Sequence, residues 1–74
     1  MCLAIPGKVI EINGKTVTIE VLGALRDASI ELLEDVKLGD FVIVHAGCAI
    51  EKVDPDEAVK TIELFKELKD IYHA

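Results

Sequence analysis

Tryptophan is absent from the 74 residues, tyrosine occurs once and phenylalanine twice, so the chain has almost nothing from which to build a stacking platform for nucleic-acid bases. Basic residues are also scarce. Eight Lys and Arg stand against fourteen Asp and Glu, a net charge of −6, and the eight are scattered along the chain. Neutralising phosphates needs clustered cations, so binding to nucleic acid is not expected. No apolar run approaches the roughly 20 residues of a membrane span, and no membrane association is expected. The opening Met1-Cys2-Leu3-Ala4-Ile5-Pro6-Gly7 has no basic region and meets Pro-Gly after a short apolar run, so it does not read as a signal peptide. Only Cys2 and Cys48 carry sulfhydryls, with no CxxC pair and no zinc-type spacing. That excludes a disulfide framework, and the expected location is cytoplasmic, with both sulfurs mainly thiols. Paired carboxylates, a Ser/His/Asp set and a glycine-rich phosphate loop are missing, which argues against hydrolases and nucleotide-using enzymes.

What is present is aliphatic. An apolar content of 51% in so short a chain predicts one domain over residues 1–74 that folds without cross-links. Core burial at this size often gives only about 3 to 5 kcal/mol, which favours an adaptor or carrier over a free-standing catalyst. Leu3 to Ile5 reads as an extended stub stopped by Pro6-Gly7, and Lys8 to Ile12 as a strand. Asn13-Gly14 predicts a tight hairpin turn with both residues at positive φ. Lys15 to Leu22 alternates, with Val17, Ile19 and Val21 on one face. Gly23-Ala24 breaks the pattern, and Ala28, Ile30 and Leu32 alternate with Asp27, Ser29 and Glu31. A turn at Lys37 to Asp40 precedes Phe41 to Val44, a run expected to be buried on both faces, which delivers His45 at its end. Ala46-Gly47 bends the chain into a last strand, Cys48 to Val53.

At Asp54 the period changes to that of a helix. Asp54 suits the N-cap, Pro55 the first helical position and Glu57 the reciprocal capping position. Ala58, Ile62, Phe65, Leu68 and Tyr72 form an apolar stripe over residues 55–72 that should lie against the strands. The fold class expected is mainly β: a small OB-like β-barrel over residues 3–53, partly open, with one C-terminal α-helix.

Cys2 is the first candidate for chemistry. A small second residue permits removal of Met1, which would set the thiol beside the α-amino group and raise its thiolate fraction. Thiolate binds soft metals and exchanges disulfides. Pro6-Gly7 keeps the preceding residues out of a helix and leaves a short extended arm. His45, at a strand end, is the second candidate, since imidazole and thiolate form a plausible ligand pair for iron. Cys48 reads as a core or core-edge residue, with a transient Cys2–Cys48 disulfide as the alternative. Asp40, Glu51 and Asp54 read as turn, surface and capping residues.

Met1-Cys2-Leu3-Ala4-Ile5-Pro6-Gly7-Lys8-Val9 and Gly39-Asp40-Phe41-Val42-Ile43-Val44-His45-Ala46-Gly47-Cys48-Ala49-Ile50 resemble the two signatures of the HypC/HupF family of nickel–iron hydrogenase maturation chaperones. The resemblance covers essentially the whole chain. It implies a carrier that partners the iron–sulfur protein HypD, helps assemble an iron centre bearing cyanide and carbon monoxide, and brings it to the hydrogenase large-subunit precursor. By match of position, Cys2 would be the iron-ligating or partner-contacting thiol and His45 the second metal contact. The arm Cys2, Leu3, Ala4, Ile5, Pro6 and Gly7 would dock on the partner, with the iron shared between the two proteins. Cys48 departs from the pattern, standing where an aromatic is usual. The free protein is expected to be a monomer and not an enzyme. Two rivals remain: a small thiol redox protein using Cys2 and Cys48, and, ranked last, a barrel that binds single-stranded nucleic acid.

Overall fold

A computed structural model describes residues 5–73, with side chains described for 5–68. It contains strands β1 (Gly7–Asn13), β2 (Thr16–Val21), β3 (Ala24–Ser29), β4 (Phe41–His45) and β5 (Cys48–Val53), followed by helix α1 (Pro55–His73). The strands close into a barrel in the order β1-β2-β3-β5-β4. The mainly β, OB-like barrel with one C-terminal helix is therefore the fold. Closure is complete where a partly open barrel was expected, because β1 pairs with β4 at Gly7↔Val42 and Lys8↔Phe41. The opposite seam is thin: β3 and β5 run parallel and meet at the one pair Ser29↔Cys48.

The core follows from alternation. Val9, Val17, Ile19, Ala28, Ile30, Val42 and Ala49 are buried together, with Ile12, Val21, Leu33, Val36 and Val44 packed on them. Two bulges adjust the register. Val9 faces Ile19 and Glu11 faces Thr18, leaving Ile10 as the extra residue of β1. Ile43 faces Glu51 and Val44 faces Ala49, leaving Ile50 as the extra residue of β5.

Several local expectations shift. Gly7 opens β1 directly after Pro6, and both residues are buried; Leu3 and Ala4 of the expected extended stub lie outside the described residues. The first hairpin turns at Gly14-Lys15, because Asn13 pairs with Thr16, and only Gly14 there has positive φ. Paired positive φ occurs instead at Leu22-Gly23 (50° and 88°) and Ala46-Gly47 (53° and 79°), each joining two strands through a two-residue turn. β3 begins at Ala24 and ends at Ser29. Ile30 is buried just beyond it, donating its N–H to the Lys15 carbonyl at 2.8 Å, and Leu32 is 69% exposed. In β4 only Val42 is fully buried, since Phe41 and Ile43 face outward and are half-covered.

Segment 30–40 seals one mouth of the barrel. Leu33 and Val36 pack on the core, Val9 N–H donates to the Asp40 carbonyl, and Gly39 N–H donates to the Val9 carbonyl, each at 2.8 Å. Helix α1 starts as expected: Asp54 Oδ2 accepts from the N–H groups of Asp56 at 3.2 Å and Glu57 at 3.3 Å. Ala58 is fully buried and Thr61, Ile62 and Phe65 are half-buried. Leu68, placed on the buried stripe by its spacing, is 41% exposed. Tyr72 lies outside the residues whose side chains are described.

Candidate functional site

Among the described residues, the mouth opposite segment 30–40 is open. Ile5, Ile19, Val21, Leu25, Arg26, Asp27, Val44 and Gly47 line a groove of ≈ 490 Å³ there. Ile5, the first described residue, is half-buried among these side chains, and Pro6 and Gly7 behind it are buried. Burial of Pro6 and Gly7 assigns them to the barrel in this structure. A Cβ at position 7 would lie 2.6 Å from Ile19 Cδ1 and 3.1 Å from both Ile19 Cβ and Val21 Cγ2. A side chain at position 7 would thus be crowded by inward-facing Ile19 and Val21 of the neighbouring strand β2, which favours glycine there.

His45 ends β4 and Cys48 begins β5, facing each other across the Ala46-Gly47 turn. Val42 and Val44 point inward, so alternation sets His45 on the outer face. His45 is exposed, and Cys48 is a half-buried free thiol. A soft sulfur and an imidazole nitrogen thus sit on neighbouring strands beside this mouth. Among the described residues, no group of three or more His, Cys, Asp or Glu side chains could hold a metal ion. Cys2, Leu3 and Ala4 lie outside the described residues, so the arm is represented by Ile5 onward. The groove brings Ile5 together with Val44 and Gly47, the residues flanking His45 and Cys48 on their hairpin.

Sequence reasoning missed Leu25, Arg26 and Asp27. Asp27 was read as a strand residue but not as part of a site, and the uniform exposure of Leu25 and Arg26 hid them as a strand. A signal was available: Arg26 lies two residues before Ala28, at a position with inward parity. No helix is long and apolar enough to cross a membrane among the described residues.

A small closed barrel with a conformationally restricted N-terminal entry and a histidine-bearing hairpin at one mouth defines a class of single-barrel module. The HupF/HypC family model matches residues 1–65, and the chain belongs to that family. It is 42% identical over 72 residues to "Hydrogenase maturation factor HypC" of Cupriavidus necator, covering 96% of this chain and 80% of that protein. The protein of that name from Rhizobium leguminosarum bv. viciae is 44% identical over 70 residues, with 90% and 91% covered. "Hydrogenase maturation factor HybG" of Escherichia coli is 32% identical over 75 residues, with 92% of both chains covered.

Proposed function

We propose that this chain is a hydrogenase maturation factor: a metallochaperone that, with a HypD-like iron–sulfur protein, helps assemble an iron centre bearing cyanide and carbon monoxide and delivers it to the hydrogenase large-subunit precursor. The observation that carries this reading is the extent of the family match, which begins at residue 1 and so takes in Met1-Cys2-Leu3-Ala4-Ile5-Pro6-Gly7. The names of the relatives, which this chain covers over most of their length, support the same role.

In this reading the iron is cargo. Cys2 supplies a soft thiolate suited to low-spin iron, His45 supplies imidazole, and the partner completes the ligand set. Few ligands on this chain make release possible, since a closed four-ligand cage would hold the metal permanently. The fold supports the pairing by chain length. Cys2 stands three positions before Ile5, a reach of about 11 Å when fully extended, and Ile5 shares its groove with Val44, the neighbour of His45. The chain acts as a carrier without turnover of its own, in the cytoplasm, as a monomer between partners.

The test is complementation of a strain lacking this protein, with hydrogenase activity as readout. The tagged chain is isolated in parallel for infrared spectroscopy in the cyanide and carbonyl region. Wild type should restore activity and carry those bands. Cys2→Ala should fold, by circular dichroism, yet fail in both. Sustained maturation by folded Cys2→Ala would overturn the reading. Maturation lost in Cys48→Ser, with the cyanide and carbonyl bands retained, would turn it toward thiol redox chemistry.

A further inference from the structure

The barrel carries a cation at an inward-parity position near each mouth, and only one of the two is matched. Lys52 pairs with fully buried Val42, and its Nζ donates to the Asp35 carbonyl at 3.0 Å and lies 3.5 Å from Asp40 Oδ2. Those acceptors come from segment 30–40, which closes that mouth. Arg26, the only arginine of the chain, pairs with buried Ile19 and lines the open mouth. Among the described residues it takes part in no side-chain hydrogen bond or ion pair. The neighbouring Asp27 carboxylate is already used, accepting from Thr18 Oγ1 at 3.0 Å on the outer face.

The backbone beside Arg26 is open as well. The Leu22-Gly23 turn makes Val21↔Ala24 a hydrogen-bonded pair, so Ile19↔Arg26 and Val17↔Ala28 are bonded pairs too. Leu25, Asp27 and Ser29 therefore direct their N–H and C=O groups away from β2. Ser29 uses that edge, its N–H donating to the Gly47 carbonyl at 2.9 Å, and β5 begins there. Leu25 and Asp27 lie before β5 starts and have no strand on that side among the described residues. Below them the groove is floored by Ile5, Ile19, Val21 and Val44.

We propose that this open mouth binds an extended, carboxylate-bearing peptide segment of a partner protein. The segment adds as a strand to Leu25–Asp27, its carboxylate pairs with the Arg26 guanidinium, and an apolar side chain two residues along, on the same face, enters the groove. Main-chain bonding to a sheet edge gives affinity in such recognition, and the side-chain pocket gives selectivity. Arginine suits the role because its planar fork matches a carboxylate in two bonds. The occupant does here what Asp35 and Asp40 do for Lys52. The proposal does not depend on the iron cargo, and it holds or fails by peptide binding alone.

The probe is a fluorescein-labelled, end-blocked heptapeptide of alternating valine and threonine with a central aspartate, titrated by anisotropy against the full chain. Binding should weaken about tenfold or more when the aspartate becomes asparagine, or when the protein carries Arg26→Gln. Combining the two changes should add little, because each removes the same contact. N-methylation of the peptide backbone at the strand-pairing positions should also abolish binding. In amide exchange by NMR, Leu25 and Asp27 should gain protection only with peptide present. Arg26 is exposed, so Arg26→Gln should melt as wild type does. The proposal is overturned if the aspartate peptide does not bind at millimolar concentration, or binds equally to Arg26→Gln. It is also overturned if Leu25 and Asp27 are already protected in the free chain, which would give the edge to residues 1–4. Self-association of Arg26→Gln without peptide binding would make Arg26 a guard of the edge and overturn it too.

Discussion

A single methyl group has no room at Gly7. Its hypothetical Cβ would press on Ile19 Cδ1, Ile19 Cβ and Val21 Cγ2, and the nearer part of Ile19 cannot move without shifting β2. Gly7→Ala should therefore destabilise the barrel by about 1 to 3 kcal/mol, read from urea unfolding. Ile19→Val removes the closest atom, so the double variant should lose less than the sum of the two single changes, and strict additivity would refute the crowding. The glycine was legible as a motif residue but not for this reason, since turn chemistry and close approach look alike in a sequence. Cys48 is the second informative residue. It is half-buried beside exposed His45, at the start of β5. Cys48→Phe, which supplies the aromatic usual in the motif, should leave the melting temperature within a few degrees and keep hydrogenase maturation. Loss of maturation with the fold intact would make the thiol a functional group.

Turns and caps show which elements could be read and which could not. Val17, Ile19 and Val21 were legible because one face of β2 is buried along its length, and α1 because Asp54-Pro55 caps it as such residues do elsewhere. Of β3 only the part from Asp27 to Ser29 was legible, because Ala24, Leu25 and Arg26 before it are all exposed and show no alternation. The bend at Ala46-Gly47 was legible, but its paired positive φ, like that of Leu22-Gly23, was obscured by the first residues, Ala46 and Leu22, which are poor in the left-handed region. The asparagine that favours such a turn stands at Asn13, beside a turn of another kind. Ala46→Asn should consequently stabilise the protein by about 0.5 to 1 kcal/mol, a rise of a few degrees in melting temperature by calorimetry. An unchanged or lowered value would mean that Ala46 has packing that the strain argument ignores. Of the candidate site, Ile5 and His45 were legible as motif members, while the groove was not, because it arises from strands distant in sequence.

At the scale of the whole molecule the barrel is held unequally around its circumference. β1 and β2 pair along their length, whereas β3 and β5 share the Ser29↔Cys48 pair. Opening that seam need not unfold the rest, so native-state hydrogen exchange should separate adjacent amides: Ser29, bonded to Gly47 across the seam, should exchange by local opening at least about tenfold faster than Ala28, bonded to β2. Equal rates would mean that the barrel opens only as a unit. The two bulges have a consequence of another kind. Val9 and Ile12 are three apart, an odd spacing that would send them to opposite sides of a regular strand, yet both serve the interior. Ala49 and Lys52 stand in the same relation on β5, and both share inward parity. Each bulge is a half-period phase slip that absorbs one isoleucine on the outside, Ile10 at 43% exposure and Ile50 at 48%. The chain can thus write a three-residue apolar spacing, which on its own reads as helix, into a strand, and the length of β1 and β5 is tied to their sidedness: adding or removing one residue anywhere but at the slip would turn half of the strand inside out.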